Sequence, residues 1–501
     1  MYKKGFSIVL SGILLGLSGL YFLPYVGWVA YVLLFWSLFE TKLINGRYFT
    51  YGFFTGAIQG LIVLGWIPDL ITRYTGSVGT LRVLIPLFLV VIFSIRMGLL
   101  ILLFGYLKRG VLPKVSKFPA SFFIQFTTAS VILDFLFSLV FNDVPWLLHF
   151  IGYTQSANLY FSQLAELGGV WMLSFAVMLI NLGLAWTLYT FNIRHFLAVL
   201  LSIGVILGYG FFRVKSIESK NYPEIKVALI ADNSPPELRW NESNLNRYVQ
   251  KLFSLNSKAI KSNPDLIIWN EGSVPWSYKS DDDFLKEILN QSKNNFPSHL
   301  MSYFSASTEN SSKSFNSVYL IRSNGQVMDR YDKSLLLGGL EKPLFGIPFL
   351  KLPFFNTNVI TGTSEGRVIR PLHSDHGNIG VVICNESLID NITASIARKG
   401  ASFFVVPANN GWFSNTRLIY QHFYVTRIRA IETRKDFVVN ANLGFSGIIK
   451  ASGAMDNINP YNISDVLVFS VALNPETSSF FWRKIVFFSI IIFLSLLLIF
   501  K

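Results

Sequence analysis

The sequence predicts a polytopic α-helical membrane domain of about eight spans joined to one extracytoplasmic α/β domain. Apolar residues make up 51% of the chain and aromatics 16%, more than an ordinary soluble protein carries. They are unevenly spread, filling long runs up to about residue 212 and again over the last twenty or so positions. Between these runs the chain has ordinary globular composition and is long enough to bury its own core. The expected units are a transmembrane domain over 1–212, a catalytic-sized domain over 213–480 and a C-terminal transmembrane helix over 481–501.

A bilayer core takes about 20 apolar residues per helix. On that scale the spans fall at about 6–22, 24–39, 49–68, 83–106, 119–141, 168–190, 195–212 and 485–500. The first two are short and meet at Pro24, as a tight hairpin would. Lys3 and Lys4 would also suit a signal peptide, but no small-x-small cleavage site follows, so an uncleaved span is expected. Lys and Arg in short loops set the orientation. Lys3, Lys4, Lys42, Arg47, Lys108, Arg109, Lys114, Lys117 and Arg194 fall in loops that are cytoplasmic when the N-terminus is inside. The alternate loops hold little beyond Arg73 and Arg82, and Arg483 and Lys484 count weakly against the bias. Seven spans then place 213–480 outside the cytoplasm. The net charge of +14 lies largely beside membrane segments, which favours anionic lipid over nucleic acid as its partner. Arg96 and Asp134 fall within spans, where an ion pair or snorkelling is the simplest expectation.

The soluble stretch alternates β-branched runs with polar helical stretches, the pattern of a layered α/β domain. Strands are expected at 226–231, 266–269, 303–307, 317–321, 378–383, 403–406, 437–440 and 466–471, and helices at 241–257, 282–292 and 420–433. There is no internal repeat.

Three strand-to-loop exits carry reactive groups. Leu266-Ile267-Ile268-Trp269-Asn270 ends in the carboxylate of Glu271, Arg330-Tyr331-Asp332 in the amine of Lys333, and Ile379-Gly380-Val381-Val382-Ile383 in the thiol of Cys384. A thiol becomes a nucleophile beside a base or a cation, and acyl transfer also needs donors for the oxyanion. Singly, each residue is ordinary; an isolated Cys after Ile and Val is more often inert core. Cys384 is the only cysteine, which excludes an internal disulfide framework and a Cys-based zinc site.

In order and context these residues resemble the nitrilase (carbon–nitrogen hydrolase) superfamily, whose Glu-Lys-Cys triad sits in an αββα sandwich. The membrane spans narrow the resemblance to its membrane branch, the apolipoprotein N-acyltransferases. It extends over Pro145-Trp146-Leu147, Gly152-Tyr153-Thr154-Gln155, Gln163-Leu164-Ala165-Glu166 and Gly168-Gly169-Val170-Trp171 in the apolar part. In the soluble part it covers Tyr331-Asp332-Lys333 with Glu341 beyond, Asn409-Asn410-Gly411-Trp412-Phe413, Gln421-His422 and 427–433. The resemblance implies Glu271 as general base, Lys333 as stabiliser of thiolate and oxyanion, and Cys384 as nucleophile. Glu341, Glu386, Asn385 and Trp240 would support the site, and Trp146, Tyr153 and Trp412 would lie near the lipid substrates. It further implies a phospholipid acyl donor, a diacylglyceryl apolipoprotein acceptor, no metal or organic cofactor, and a monomer in the bacterial inner membrane with a periplasmic catalytic domain. Three positions depart from the family pattern. Asn270 stands where Pro is usual, Asn385 where an aromatic is usual, and Ala231-Asp232-Asn233 where Gln-Gly-Asn is common. They bear on donor preference and rate more than on reaction class. The competing classes are a membrane-tethered amidase acting on a small amide, a paralogue acylating another amine, and a non-enzymatic scaffold.

Overall fold

The computed structural model describes residues 2–40, 43–75, 79–111, 119–235, 242–292, 297–306, 313–343, 363–413, 416–460 and 463–497. The chain divides into two compact units, Met1–Asn142 with Leu147–Lys215 and Trp482–Lys501, and Asp143–Trp146 with Ser216–Phe481.

The first unit is helical, and a helix stands at each predicted span. Among the described residues, five helices are long and apolar enough to cross a membrane: Arg82–Gly110, Ala120–Val140, Phe161–Thr190, Ile193–Glu218 and Phe480–Leu497. The expected span at 24–39 is corrected to two pieces, Pro24–Gly27 and Val32–Phe39, because the chain turns between them. The span expected to run to residue 68 stops at Val63, and an amphipathic helix, Ile67–Thr75, follows. Within Ala165–Thr190 the helix breaks at Gly169, whose φ of 66° is a conformation glycine adopts without strain.

Small residues let two of these helices close on each other. A Cβ on Gly52 would stand 2.3 Å from the Met97 carbonyl oxygen, and one on Gly56 2.7 Å from that of Phe93. Glycines four residues apart thus seat Asn45–Val63 against Leu81–Val111. Arg96 and Asp134 form a buried ion pair. Replacing Arg96 by Leu alone strands a buried carboxylate and is expected to cost about 3–5 kcal/mol. Arg96→Leu combined with Asp134→Leu should regain most of that; equal melting temperatures for the single and double variants would exclude the pairing.

The second unit is built on two sheets. Strands β1 (Glu224–Ala231), β2 (Leu266–Trp269), β3 (Ser298–Ala306), β4 (Ser314–Ile321), β5 (Val327–Asp332) and β11 (Asp465–Ala472) form one, ordered β11-β1-β2-β3-β4-β5. Strands β6 (Ile379–Val381), β7 (Phe403–Asn409), β8 (Phe437–Asn442), β9 (Ser446–Ile449) and β10 (Met455–Asn459) form the other, ordered β10-β9-β8-β7-β6. β1, β2 and β3 run parallel, as do β6, β7 and β8.

Alternation along the strands builds the layers. Ile225, Val227 and Leu229 of β1 and Leu266 and Ile268 of β2 enter a core shared with Val381, Val405 and Val438 of the other sheet. Ala228, Ile230, Ile267 and Trp269 point the opposite way, onto Tyr248, Leu252, Phe284 and Ile288 of the helices Glu242–Ile260 and Asp283–Gln291. Burial on both faces is why β2 reads Leu-Ile-Ile-Trp with no polar residue. Helices Asp390–Arg398 and Leu418–Thr433 cover the second sheet, contributing Ile392, Ile396, Phe423 and Ala430 to its core. The result is an αββα sandwich. β6 is shorter than the predicted 378–383, because the chain leaves the ladder to make the turn that carries Cys384. The helix Asp390–Arg398 and strands β5, β9 and β10 are additions to the predicted ranges.

Candidate active site

The carboxyl ends of β2, β5, β6 and β7 converge, the edge where layered α/β sheets present their ligand-binding groups. Glu271 follows β2, Lys333 follows β5, and Cys384 lies three residues beyond the end of β6. All three line one pocket with Asn316, Glu341, Asn409, Tyr303, Phe304, Leu337, Leu340 and Phe413.

Lys333 is buried between two carboxylates, with Nζ 3.2 Å from Glu271 Oε1 and 2.9 Å from Glu341 Oε1. Burial alone would lower its pKa, but the charges of Glu271 and Glu341 outweigh burial and hold it well above the ordinary lysine range. It is a permanent cation. Glu271 is fixed on its other sides by Asn316 Nδ2, donating to Oε1 at 2.8 Å, and by the Asn409 amide, donating to Oε2 at 2.8 Å. Glu341 in turn accepts from the Leu337 amide at 2.7 Å.

Cys384 has a φ of +54°, left-handed for a residue with a side chain. Such strain persists only where the surroundings hold it. Its carbonyl accepts from His422 Nε2 at 2.7 Å and from Ser387 Oγ at 2.9 Å. Burial pushes the thiol pKa up strongly, the charge of Glu271 adds to this, and Lys333 opposes it. The resting state is therefore the thiol, and attack requires a base to take its proton. Iodoacetamide alkylation of Cys384 is expected to keep accelerating as pH rises past the usual thiol range of about 8–9 without levelling off. A plateau below pH about 8.5 would show a pre-formed thiolate and remove the need for a base.

Glu386 is fully buried beneath the turn. Its Oε1 accepts from Ser334 N and Oγ, both at 2.6 Å, from Tyr331 OH at 3.0 Å and Leu335 N at 3.1 Å, and its Oε2 from Ile383 N at 2.6 Å. Burial raises its pKa while these donors oppose the rise. Asn385 is buried too and donates to the Leu335 carbonyl at 3.3 Å. Both residues thus tie the Cys384 turn to the segment that leaves Lys333.

Of the remaining expected residues, Trp412 lies on the short 3-10 helix Asn410–Phe413, whose last residue lines the pocket. Trp146 is half-buried and is not among the residues lining that pocket. Tyr153 belongs to the first unit and stacks on Phe150. Trp240 lies outside the described residues. Asn316 is a site residue that sequence reasoning missed: one polar residue inside β4 carries no motif. Two departures from the family pattern turn out to be partners. Asn270 Nδ2 donates to Asp232 Oδ1, and Asp232 Oδ2 lies 3.1 Å from the Tyr248 hydroxyl. The pair ties the residue before Glu271 to the end of β1.

A carboxylate, an ammonium and a thiol at three strand exits of an αββα sandwich define a carbon–nitrogen hydrolase fold. The family model for carbon-nitrogen hydrolase matches residues 226–453, and the model for the apolipoprotein N-acyltransferase N-terminal domain matches residues 11–183. The apolipoprotein N-acyltransferase of Geobacter metallireducens is 28% identical over 502 residues, covering 95% of this chain and 90% of that protein. That of Aquifex aeolicus is 28% identical over 466 residues, covering 92% of this chain and 98% of that protein. The chain belongs to the apolipoprotein N-acyltransferase family, the membrane branch of the carbon–nitrogen hydrolases.

Proposed function

We propose that the chain moves an acyl group from the sn-1 position of a phospholipid to the α-amine of the diacylglyceryl-cysteine that begins an apolipoprotein. The observation that carries this is the buried Glu271–Lys333–Cys384 cluster, in a chain whose apolar part matches the N-terminal domain of apolipoprotein N-acyltransferases. In the first half-reaction Glu271 takes the thiol proton as Sγ attacks the ester carbonyl. The oxyanion is held by Lys333 Nζ and by the backbone amide following the nucleophile. Collapse breaks the ester C–O bond, and Glu271 returns the proton to the departing lysophospholipid oxygen, leaving a thioester on Cys384. In the second half-reaction the lipoprotein amine attacks that thioester, Glu271 takes the amine proton, the C–S bond breaks, and the thiol is restored as the amide forms. The two steps share one acyl-enzyme, so the kinetics are ping-pong.

The charge pattern of the loops supports an inner-membrane protein with this unit on the periplasmic side. One chain supplies the base, cation and nucleophile, which suits a monomer. Incubating the full-length protein with phospholipid alone should add an acyl mass to the Cys384 peptide, labile to hydroxylamine and absent in Cys384→Ala. A diacylated lipopeptide should then discharge it to an N-acyl product. If active wild-type protein never carries the adduct, the thioester route is wrong.

A further inference from the structure

We propose that His422 is a positioning residue for the oxyanion, acting through the peptide that joins Cys384 to Asn385. The inference rests on the acyl-transfer reading above. His422 is buried on the helix Leu418–Thr433. Its Nε2 lies 2.7 Å from the Cys384 carbonyl oxygen and its Nδ1 3.1 Å from Asn410 Oδ1. A carbonyl only accepts, so Nε2 carries the proton. Burial lowers the pKa of the ring and favours the neutral form; turning the Asn410 carboxamide over, which exchanges its O and N without changing its shape, sets the NH2 against Nδ1 as acceptor. Both nitrogens are thereby engaged, and the ring is held against rotation.

The consequence lies on the other side of the same peptide. A trans peptide is planar, so the carbonyl oxygen of Cys384 and the N–H of Asn385 point in opposite directions. Anchoring one aims the other. The Asn385 N–H has no hydrogen-bond partner among the described residues. It also immediately follows the nucleophile, the position from which a strained strand-to-helix turn offers its oxyanion donor. Rotation of this peptide, about ψ of Cys384 and φ of Asn385, would turn the N–H away. It would also break the bonds from His422 Nε2 and from Ser387 Oγ, 2.9 Å from the same oxygen. The two donors hold the turn in its reactive setting. Glu271, Lys333 and Cys384 do the chemistry, and His422 touches none of the reacting atoms.

Alkylation separates this role from packing, because displacement of iodide by a thiolate develops no oxyanion. The full-length protein in mixed detergent–phospholipid micelles is given 1-palmitoyl-2-oleoyl-phosphatidylethanolamine, and thioester formation on Cys384 is timed by mass spectrometry. In parallel, Cys384 is alkylated with iodoacetamide. His422→Ala is expected to slow thioester formation about 10- to 100-fold, with the donor KM changed less than about threefold. His422→Gln, which can again present an N–H to the carbonyl, should recover most of the rate. Alkylation of each variant should stay within about twofold of wild type. The inference is overturned if His422→Ala acylates at the wild-type rate, or if it loses acylation and alkylation together. Should His422→Ala not fold, Ser387→Ala must slow acylation and spare alkylation, and unchanged acylation overturns the inference. A wild-type protein that forms no thioester overturns the acyl-transfer reading itself.

Discussion

Lys333→Met is expected to lower acyl-enzyme formation by at least about a thousandfold while the chain still folds less stably than wild type. Two effects combine. The thiolate and the oxyanion lose a buried cation at the pocket, and Glu271 and Glu341 lose the charge that lies 3.2 Å and 2.9 Å from them. Removing one member of a buried ionic cluster costs about 3–5 kcal/mol. The two losses can be separated. Lys333→Met with Glu341→Gln removes one of the stranded charges and should regain part of the melting temperature without regaining activity. Recovery of both would mean that Lys333 acts only through stability, and recovery of neither would mean that the carboxylates are not what its removal exposes.

The pH signs follow from the same cluster. The folded-state pKa of Lys333 is raised, so its contribution to stability is complete below the unfolded value of about 10.4 and is lost only as pH climbs through the folded value. Lys333 therefore confers no pH dependence near neutrality. The pKa of Cys384 is also raised, so the folded state keeps a proton that the unfolded chain gives up above about pH 8.5. Stability should fall as pH rises beyond that point, and Cys384→Ala should flatten the fall. A wild-type denaturation midpoint that stays constant from pH about 8 to 10 would contradict the raised thiol.

The second unit was legible where side chains bury on both faces. Leu266–Trp269 and Phe437–Asn442 are uninterrupted apolar or mixed runs because sheet and helix cover them. The helix Asp390–Arg398 escaped notice because Ile392, Thr393 and Ile396 have strand-like propensity, and packing against the second sheet overrides it. The membrane spans were legible as segments but not in their breaks. Hydropathy does not register the turn before Val32 or the backbone at Gly169, which arise from local geometry. At the site, the three reactive residues were visible as strand exits. Among their supports, Glu341, Glu386 and Asn385 came only with the family resemblance, and two contacts were not visible at all: Asn316 reaches Glu271 from the middle of β4, and His422 reaches the Cys384 carbonyl across 38 positions of sequence. Such contacts come from sheet order and helix docking, which a linear pattern does not record. The Asn270–Asp232 pair shows the same thing at two residues that look like separate departures in sequence.

Glu386 should prove as intolerant as the triad, for a different reason. Ile383 precedes the left-handed Cys384, and its amide is held by Glu386 Oε2 at 2.6 Å, while four donors from Tyr331, Ser334 and Leu335 surround Oε1. Five donors converge on it, and the three that are backbone amides can only donate, which suits a carboxylate. In Glu386→Gln one terminal atom becomes an NH2, and in either orientation it faces N–H or O–H groups that also donate. Each buried polar group left unsatisfied costs about 1–3 kcal/mol, so two or more approach the whole stability of a typical domain, about 5–15 kcal/mol. Glu386→Gln is therefore expected to abolish detectable acylation and to lower the melting temperature sharply, although it is isosteric and Glu386 is not among the residues lining the pocket. Glu386→Asp keeps the charge but not the reach and should fold with a slowed acyl-enzyme step. If Glu386→Gln melts with wild type and forms the thioester normally, the side chain is not what joins the nucleophile's turn to the segment carrying Lys333. That join would then have to rest on Asn385 and its 3.3 Å bond to Leu335.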